Sequence, residues 1–231
     1  MQAVDLILNR QSLPQYIDHT LLRPDATETE LSRVCQEARE YGFKTVCVEA
    51  KWLPLVVRLL HGSKVLPIAV IDFPLGEKTT ELKCDEARAA LKAGAQELDM
   101  VLNRNLLKAK NYSAVFADIL GVVQTAAGVP VKVILETSEL NDQEKIVACA
   151  LAKAAGARFV KTSTGFSRAG ATESDIALMR SVVGPDCGVK ASGGVRSLAD
   201  VIRMVHAGAD RIGASASVAI IKGLETSPGS Y

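Results

Sequence analysis

Two lysines occupy positions where an uncompensated charge would be costly. Lys161 stands inside Phe159-Val160-Lys161-Thr162-Ser163-Thr164-Gly165-Phe166-Ser167, a run that reads as a buried strand passing into a turn of small hydroxyl and glycine residues. Lysine is rarely left in a core without a reason. Alternation puts Phe159, Lys161 and Ser163 on one strand face and Val160 and Thr162 on the other, so packing Val160 against a helix turns Lys161 toward the opposite side. Lys190 repeats the pattern one strand later, in Gly188-Val189-Lys190-Ala191-Ser192-Gly193-Gly194-Val195-Arg196. Two ammonium groups close together in a desolvated pocket repel, and burial and repulsion both favour loss of a proton from one of them. A neutral amine is a nucleophile that attacks carbonyls and forms Schiff bases. Asp99 could screen the remaining charge and move protons, directly or through water. The alternatives are a surface lysine on an edge strand and, for Asp99, a purely structural buried ion pair.

These groups need a scaffold, and the hydrophobic pattern supplies one. Strands are predicted over 16–21, 45–48, 65–71, 97–102, 131–136, around Lys161, over 188–191 and over 211–214. Between them run helical patterns. Thr27 with Glu30 forms a capping box that opens a helix ending at Gly42. A second helix covers 52–60, and a third carries Cys84, Ala87 and Leu91 as one stripe. A fourth buries Val115, Ile119 and Val122, and a fifth covers about 141–155. Thr172 caps a sixth with Ile176, Met179 and Val183. Ser197 with Asp200 opens a seventh bearing Val201, Met204 and Val205, and 215–224 closes the chain. The 131–136 strand is nearly all apolar, as expected when both faces are covered. Eight strands alternating with helices across 231 residues argue for one α/β domain closed as a (β/α)₈ TIM barrel, with an open doubly wound sheet as the alternative. Residues 1–14, through Val4, Leu6, Ile7 and Leu8, form an N-terminal helical extension, and 225–231 is a C-terminal tail ending at Tyr231 that could close over the pocket.

An internal repeat favours closure. Ala-Gly-Ala occurs at 93–95, 155–157 and 207–209, each time between a helix and the next strand, where glycine serves as the left-handed terminator. Five residues beyond Gly94, Gly156 and Gly208 stand Asp99, Lys161 and Gly213, and the related Gly42 leads in the same way to Cys47. Equivalent entry into the barrel would place these four at one depth, facing one interior. Beyond the last two strands, Ser192-Gly193-Gly194-Val195-Arg196 and Gly213-Ala214-Ser215-Ala216-Ser217 are the loops that often hold phosphate in such barrels. There glycine backbone N–H groups can approach the oxygens, Ser215 can add a donor and Arg196 a charge.

Composition removes other classes. A net charge of +1, with no basic stripe interleaved with aromatics, leaves no footprint for nucleic acid. The five cysteines contain no Cys-x-x-Cys pair and read as reduced thiols, which points to the cytoplasm. No unbroken apolar stretch is long enough for a membrane span, and the N-terminus lacks the marks of a signal peptide. His19, His61 and His206 are too widely separated for a close-spaced metal motif and read as packing or surface residues. Glu136 ends a strand at pocket height but could equally bond a neighbouring loop.

The runs Ile17-Asp18-His19-Thr20-Leu21-Leu22, Glu97-Leu98-Asp99-Met100-Val101-Leu102-Asn103, 159–166 and 189–196 together resemble the deoxyribose-phosphate aldolases, a lysine-dependent class I family. The resemblance implies a (β/α)₈ barrel that reversibly cleaves 2-deoxy-D-ribose 5-phosphate to D-glyceraldehyde 3-phosphate and acetaldehyde, without metal or cofactor. It implies Lys161 as the Schiff-base lysine, Lys190 as the partner that lowers its pKa and Asp99 as the proton relay. Asp18 and Thr20 match a supporting polar cluster. Substrate and phosphate contacts are expected from Cys47, Gly165, Gly193, Gly194, Arg196, Gly213 and Ser215. The chain departs from the family pattern at Glu49-Ala50 and Ala216-Ser217. Partners are then the sugar phosphate and aldehydes, with a homo-oligomer, dimer or tetramer, left open. Two other readings stand beside this one: a Schiff-base aldolase for a keto acid or ketose phosphate, and a non-catalytic barrel that binds a sugar phosphate. A second buried lysine weighs against the last.

Overall fold

Four helices hand over to the next strand through Gly42, Gly94, Gly156 and Gly208, with φ of +68°, +100°, +85° and +116°. A side chain rarely adopts that backbone, so glycine ends each helix at a defined point and the next strand enters at a fixed offset. In the computed structural model, which describes residues 12–223, this repeated geometry closes a barrel of eight parallel strands in the order β1 to β8. They are β1 (Ile17–Leu21), β2 (Thr45–Glu49), β3 (Leu66–Ile71), β4 (Glu97–Val101), β5 (Val131–Ile134), β6 (Phe159–Lys161), β7 (Gly188–Ser192) and β8 (Arg211–Ala214). The open-sheet alternative fails because β8 pairs with β1, Gly213 standing beside Asp18.

The helices among the described residues are α1 (Glu28–Tyr41), α2 (Leu53–Leu60), α3 (Thr80–Lys92), α4 (Arg104–Lys108), α5 (Tyr112–Thr125), α6 (Asp142–Ala154), α7 (Glu173–Val183), α8 (Leu198–His206) and α9 (Ser217–Lys222). Thr27 and Glu30 form the expected capping box on α1, as do Ser197 and Asp200 on α8. Val115, Ile119 and Val122 are all buried on α5, as their spacing requires. On α3 the stripe runs through Cys84, Ala87 and Ala90 rather than Leu91, which stays half-buried. No helix among the described residues is long and apolar enough to cross a membrane.

Several expectations need correction. The helix α4 was not foreseen, because five residues capped by Asn103 are too short to show a period. The second helix begins as a 3-10 turn at Ala50–Trp52 and becomes α-helical only at Leu53. The closing helix covers Ser217–Lys222 within the expected 215–224, and Leu224 lies outside the described residues. Within the expected N-terminal extension, Leu13 and Pro14 belong to a 3-10 turn, Leu13–Tyr16, while residues 1–11 and Tyr231 lie outside the described residues. Strand β5 stops at Ile134, and it is not uniformly apolar in effect, because Lys132 is fully buried within it.

Lys83 shows what a structural buried lysine looks like in this fold. Its Nζ donates to Asp118 Oδ2 at 2.6 Å and to the Val101 carbonyl at 3.1 Å, and lies 3.6 Å from Asp72 Oδ2. Asp118 also accepts from Thr80 Oγ1 at 2.9 Å, so α3 and α5 are joined through a compensated charge. Removing one partner strands the other without solvent. Asp118→Ala is therefore expected to lower unfolding free energy by about 3–5 kcal/mol in denaturant titration.

Candidate active site

The interior positions follow from register. Asp99 stands beside Lys132, Ile134 beside Lys161, and Lys161 beside Lys190 across neighbouring strands. Cys47, Asp99, Lys161 and Gly213, the residues reached by counting from the four glycines, come from the even-numbered strands, the arrangement that makes one layer of a barrel interior. Asp18, Lys132 and Lys190 come from odd strands and interleave with them.

At the centre is the Asp99 carboxylate. Its Oδ1 accepts from Lys132 Nζ at 2.8 Å, and its Oδ2 accepts from both Lys161 Nζ and Lys190 Nζ at 2.9 Å. Lys190 has a second carboxylate, Asp18 Oδ2, at 2.5 Å, and Lys132 has Glu97 Oε2 at 2.5 Å. Arg211 spans Asp18 Oδ1 at 2.7 Å and Glu97 Oε2 at 3.2 Å. Thr45 donates to Asp18 at 2.7 Å, and the Phe159 ring lies 5.2 Å from the Arg211 guanidinium and 5.9 Å from Lys132 Nζ. Four basic groups thus share three carboxylates. Lys132, Lys190 and Arg211 each reach two of them, and Lys161 reaches Asp99 alone.

That asymmetry decides which amine gives up its proton. Burial drives Lys161 below the ordinary lysine value of 10.5, Asp99 pulls the other way, and the nearby Lys190 charge adds to the lowering. Burial also opposes the Lys190 charge, but Asp18 and Asp99 outweigh it and hold its pKa above 10.5. For Lys132, burial is likewise outweighed, first by Asp99 and then by Asp18. Asp99 itself, despite burial, is held well below 3.8 by Lys132, Lys161 and Lys190. The site therefore contains an amine poised to be neutral, a fixed ammonium beside it and an ionised carboxylate bridging them.

Lys161 is also the member of the set that lines the pocket at the strand ends. It forms the floor of a pocket whose walls include Thr20, Gly165, Phe166, Gly193, Gly194, Arg196, Gly213 and Ser215. Of the sequence-predicted substrate and phosphate residues, Thr20, Gly165, Gly193, Gly194, Arg196, Gly213 and Ser215 are thus brought to the same cavity as the amine. Asp18 and Cys47 are not: both are fully buried and lie outside the pocket lining. Asp18 belongs to the charge network, and Cys47 packs with Leu22, Ile68 and Val70, its thiol pushed up to about 11, chiefly by burial. Asp99 and Lys190 are also absent from the pocket lining.

Glycine shapes the pocket by close approach. A Cβ at Gly170 would stand 2.0 Å from the Gly193 carbonyl oxygen, so the loops after β6 and β7 can touch only without side chains there. The Ala171 N–H donates to the Gly193 carbonyl at 3.0 Å, locking them together. A Cβ at Gly213 would come within 2.9 Å of Lys190 Cε, so this glycine also makes room for the lysine stem. Glu136, buried in a left-handed conformation (φ +61°), bonds the neighbouring loop: its carboxylate accepts from Thr164 Oγ1 at 2.5 Å and Ser167 Oγ at 2.7 Å. His19 serves packing, with Nδ1 2.9 Å from Ser217 Oγ and Nε2 2.8 Å from Glu37 Oε2, tying β1 to α9 and α1. Among the described residues, no group of three or more His, Cys, Asp and Glu is arranged to hold a metal ion.

Lys132, Glu97 and Arg211 escaped sequence reasoning. A signal existed, because Glu97 and Arg211 stand two residues before Asp99 and Gly213, on the same strand faces. Lys132 alternates with Val131 and Val133, so packing those valines outward turns it in.

A family model described as DeoC/LacD family aldolase matches residues 13–224. A deoxyribose-phosphate aldolase of Macrococcus caseolyticus is 54% identical over 220 residues, covering 95% of this chain and 100% of its own. The deoxyribose-phosphate aldolase of Bacillus subtilis is 54% identical over 219 residues, covering 94% and 98%. Among solved structures, the tetrameric deoxyribose phosphate aldolase of Aeropyrum pernix superposes with a TM-score of 0.89 at 36% identity, covering 95% of this chain and 93% of that one.

The role of Lys190 in setting the charge of Lys161 can be read without any substrate. Lys190→Met removes a like charge and leaves Asp99 Oδ2 to Lys161 alone, and both changes raise the Lys161 pKa. The pH midpoint for alkylation of Lys161 by formaldehyde and cyanoborohydride, followed by peptide mass mapping, should move up. Arg211 and Thr45 still hold Asp18 in the variant, so the barrel should fold.

Proposed function

The chain belongs to the DeoC/LacD family of aldolases, and from that premise we propose that it is a deoxyribose-phosphate aldolase working through an imine at Lys161. It is a carbon–carbon lyase that reversibly cleaves 2-deoxy-D-ribose 5-phosphate to D-glyceraldehyde 3-phosphate and acetaldehyde. The observation that carries the mechanism is the singly paired Lys161 amine at the floor of a glycine-walled pocket.

Neutral Lys161 attacks the aldehyde carbon of the open-chain sugar, and loss of water gives a protonated imine. The iminium accepts the electron pair of the C2–C3 bond as a base takes the C3 hydroxyl proton. Glyceraldehyde 3-phosphate leaves, and an enamine stays on Lys161. Protonation of the enamine carbon and hydrolysis then free acetaldehyde and restore the amine. Asp99 Oδ2 touches both Lys161 and Lys190, so it gives protons a bridge between the reacting nitrogen and the retained ammonium. Lys190, held as an ammonium, helps to keep the Lys161 pKa low, and Asp99, in contact with the reacting nitrogen, is the relay. Lys132 and Arg211 keep the carboxylates of this set in place. The loops bearing Gly165, Gly193, Gly194, Arg196, Gly213 and Ser215 hold the phosphate and use its binding energy to position the reacting carbons.

All five thiols are buried and unpaired, which suits a reducing compartment and a cytoplasmic enzyme. A homo-oligomer, as in the tetrameric relative from Aeropyrum pernix, is the assembly that goes with this reading.

Borohydride added during turnover should attach the sugar-derived mass to Lys161 and to no other residue. Lys161→Leu should reduce cleavage of deoxyribose 5-phosphate to background, whereas Lys190→Met should lower kcat/KM by about 10²–10⁴-fold. Arg196→Gln should raise KM for the phosphorylated sugar about tenfold, a loss of about 1.4 kcal/mol. It should leave KM for unphosphorylated 2-deoxyribose nearly unchanged, as steady-state assays on the two sugars would show.

A further inference from the structure

Beside the pocket over Lys161, and separated from it by Thr164 and Phe166, lies a second groove that the aldolase mechanism does not use. One wall is apolar: Leu75 and Phe166 are among the few large hydrophobic side chains left exposed, at 56% and 45%, and Phe73 braces Phe166 edge-on at 5.3 Å. The other wall is the α4 helix, which presents Arg104 and Lys108. Arg104 Nη1 is buried yet has no hydrogen-bond partner, and neither Arg104 nor Lys108 takes part in an ion pair among the described residues. The two acidic side chains that also line the groove are already engaged. Glu136 accepts from Thr164 and Ser167, and Glu139 lies 3.4 Å from Arg168.

A buried guanidinium donor without an acceptor carries an uncompensated desolvation cost, and a phosphate or carboxylate that takes two of its N–H groups recovers it. Exposed apolar side chains on the facing wall favour a ligand with an apolar portion. We propose that this groove is an accessory binding site for a small aryl- or alkyl-bearing anion, its phosphate or carboxylate on Arg104 and Lys108 and its apolar part against Leu75 and Phe166. Because Phe166 and Thr164 belong to both cavities, an occupant rests against the loop that walls the catalytic pocket.

The test separates this groove from the sugar-phosphate site by filling the latter first. Enzyme reduced with borohydride on deoxyribose 5-phosphate is checked by mass for complete modification of Lys161, which tests the aldolase reading by itself. The blocked protein is then titrated calorimetrically with phenyl phosphate, 3-phenylpropionate and inorganic phosphate. One-to-one binding of either aryl anion, at least about tenfold tighter than inorganic phosphate and weakened at least about tenfold in Arg104→Gln/Lys108→Gln, is expected. The phosphate and carboxylate arms show which head group is preferred. No binding to the blocked enzyme, equal binding by the double variant, or inorganic phosphate binding as tightly as the aryl anions would overturn the proposal. If Lys161 is not modified, the titration is run on enzyme saturated with inorganic phosphate, with the same outcomes read for phenyl phosphate and 3-phenylpropionate on native protein and double variant.

Discussion

Three ammonium groups converge on one carboxylate, and the rest of the molecule is arranged around the consequence. Asp99 cannot fully compensate Lys132, Lys161 and Lys190 at once. Asp18 and Glu97 supply two further negative charges, but Arg211 draws on both. Taking an ion out of water costs several kcal/mol even after relaxation, so a surplus cation in this interior is relieved most cheaply by dropping a proton. Lys161 is the amine whose pKa is lowered, because the other three basic groups each hold two carboxylates. Lys83 shows the contrast within the same chain. It has carboxylates on two sides and a carbonyl besides, lies outside the barrel interior and ties two helices together.

The barrel separates this charge chemistry from recognition. Strand interiors supply Asp99, Lys190, Lys132 and Asp18 at depths set by hydrogen-bonded register, where packing holds them. The loops at the carboxyl ends of the strands supply the pocket, and their contribution is mostly backbone: Gly170 against Gly193, and left-handed turns at Gly165, Gly193 and Gly194. Lys161 lies at the end of β6, where the two regions meet. Ordered strands below and close-packed loops above give the amine a fixed position relative to whatever the loops hold. Such positioning is what converts a reactive group into a catalyst.

Much of this was legible in the residue order because glycine and capping chemistry are local. The left-handed terminators at Gly42, Gly94, Gly156 and Gly208 set a constant offset, and that offset leads to Cys47, Asp99, Lys161 and Gly213. Capping boxes at Thr27 and Ser197 marked helix starts for the same local reason. What escaped depended on partners distant in the chain. Lys132 sits in a run of valine and isoleucine whose apolar character hid it, and its meaning comes from Glu97 and Asp99 across β4. The separation of Asp18 and Cys47 from the pocket required knowing which layer reaches the opening, and strand alternation gives a face but not a depth. The α4 helix, too short to carry a period, went unseen, and with it the cationic wall beside the catalytic mouth.

The state of the Lys161 amine can be observed in the resting protein. With lysine labelled at the ζ nitrogen and Lys161 assigned by comparison with the Lys161→Leu variant, an NMR titration should show its Nζ losing a proton below pH 10.5 while Lys190 stays ammonium. A Lys161 nitrogen that titrates with the ordinary surface lysines, or above them, would contradict the assignment of the neutral amine to this residue.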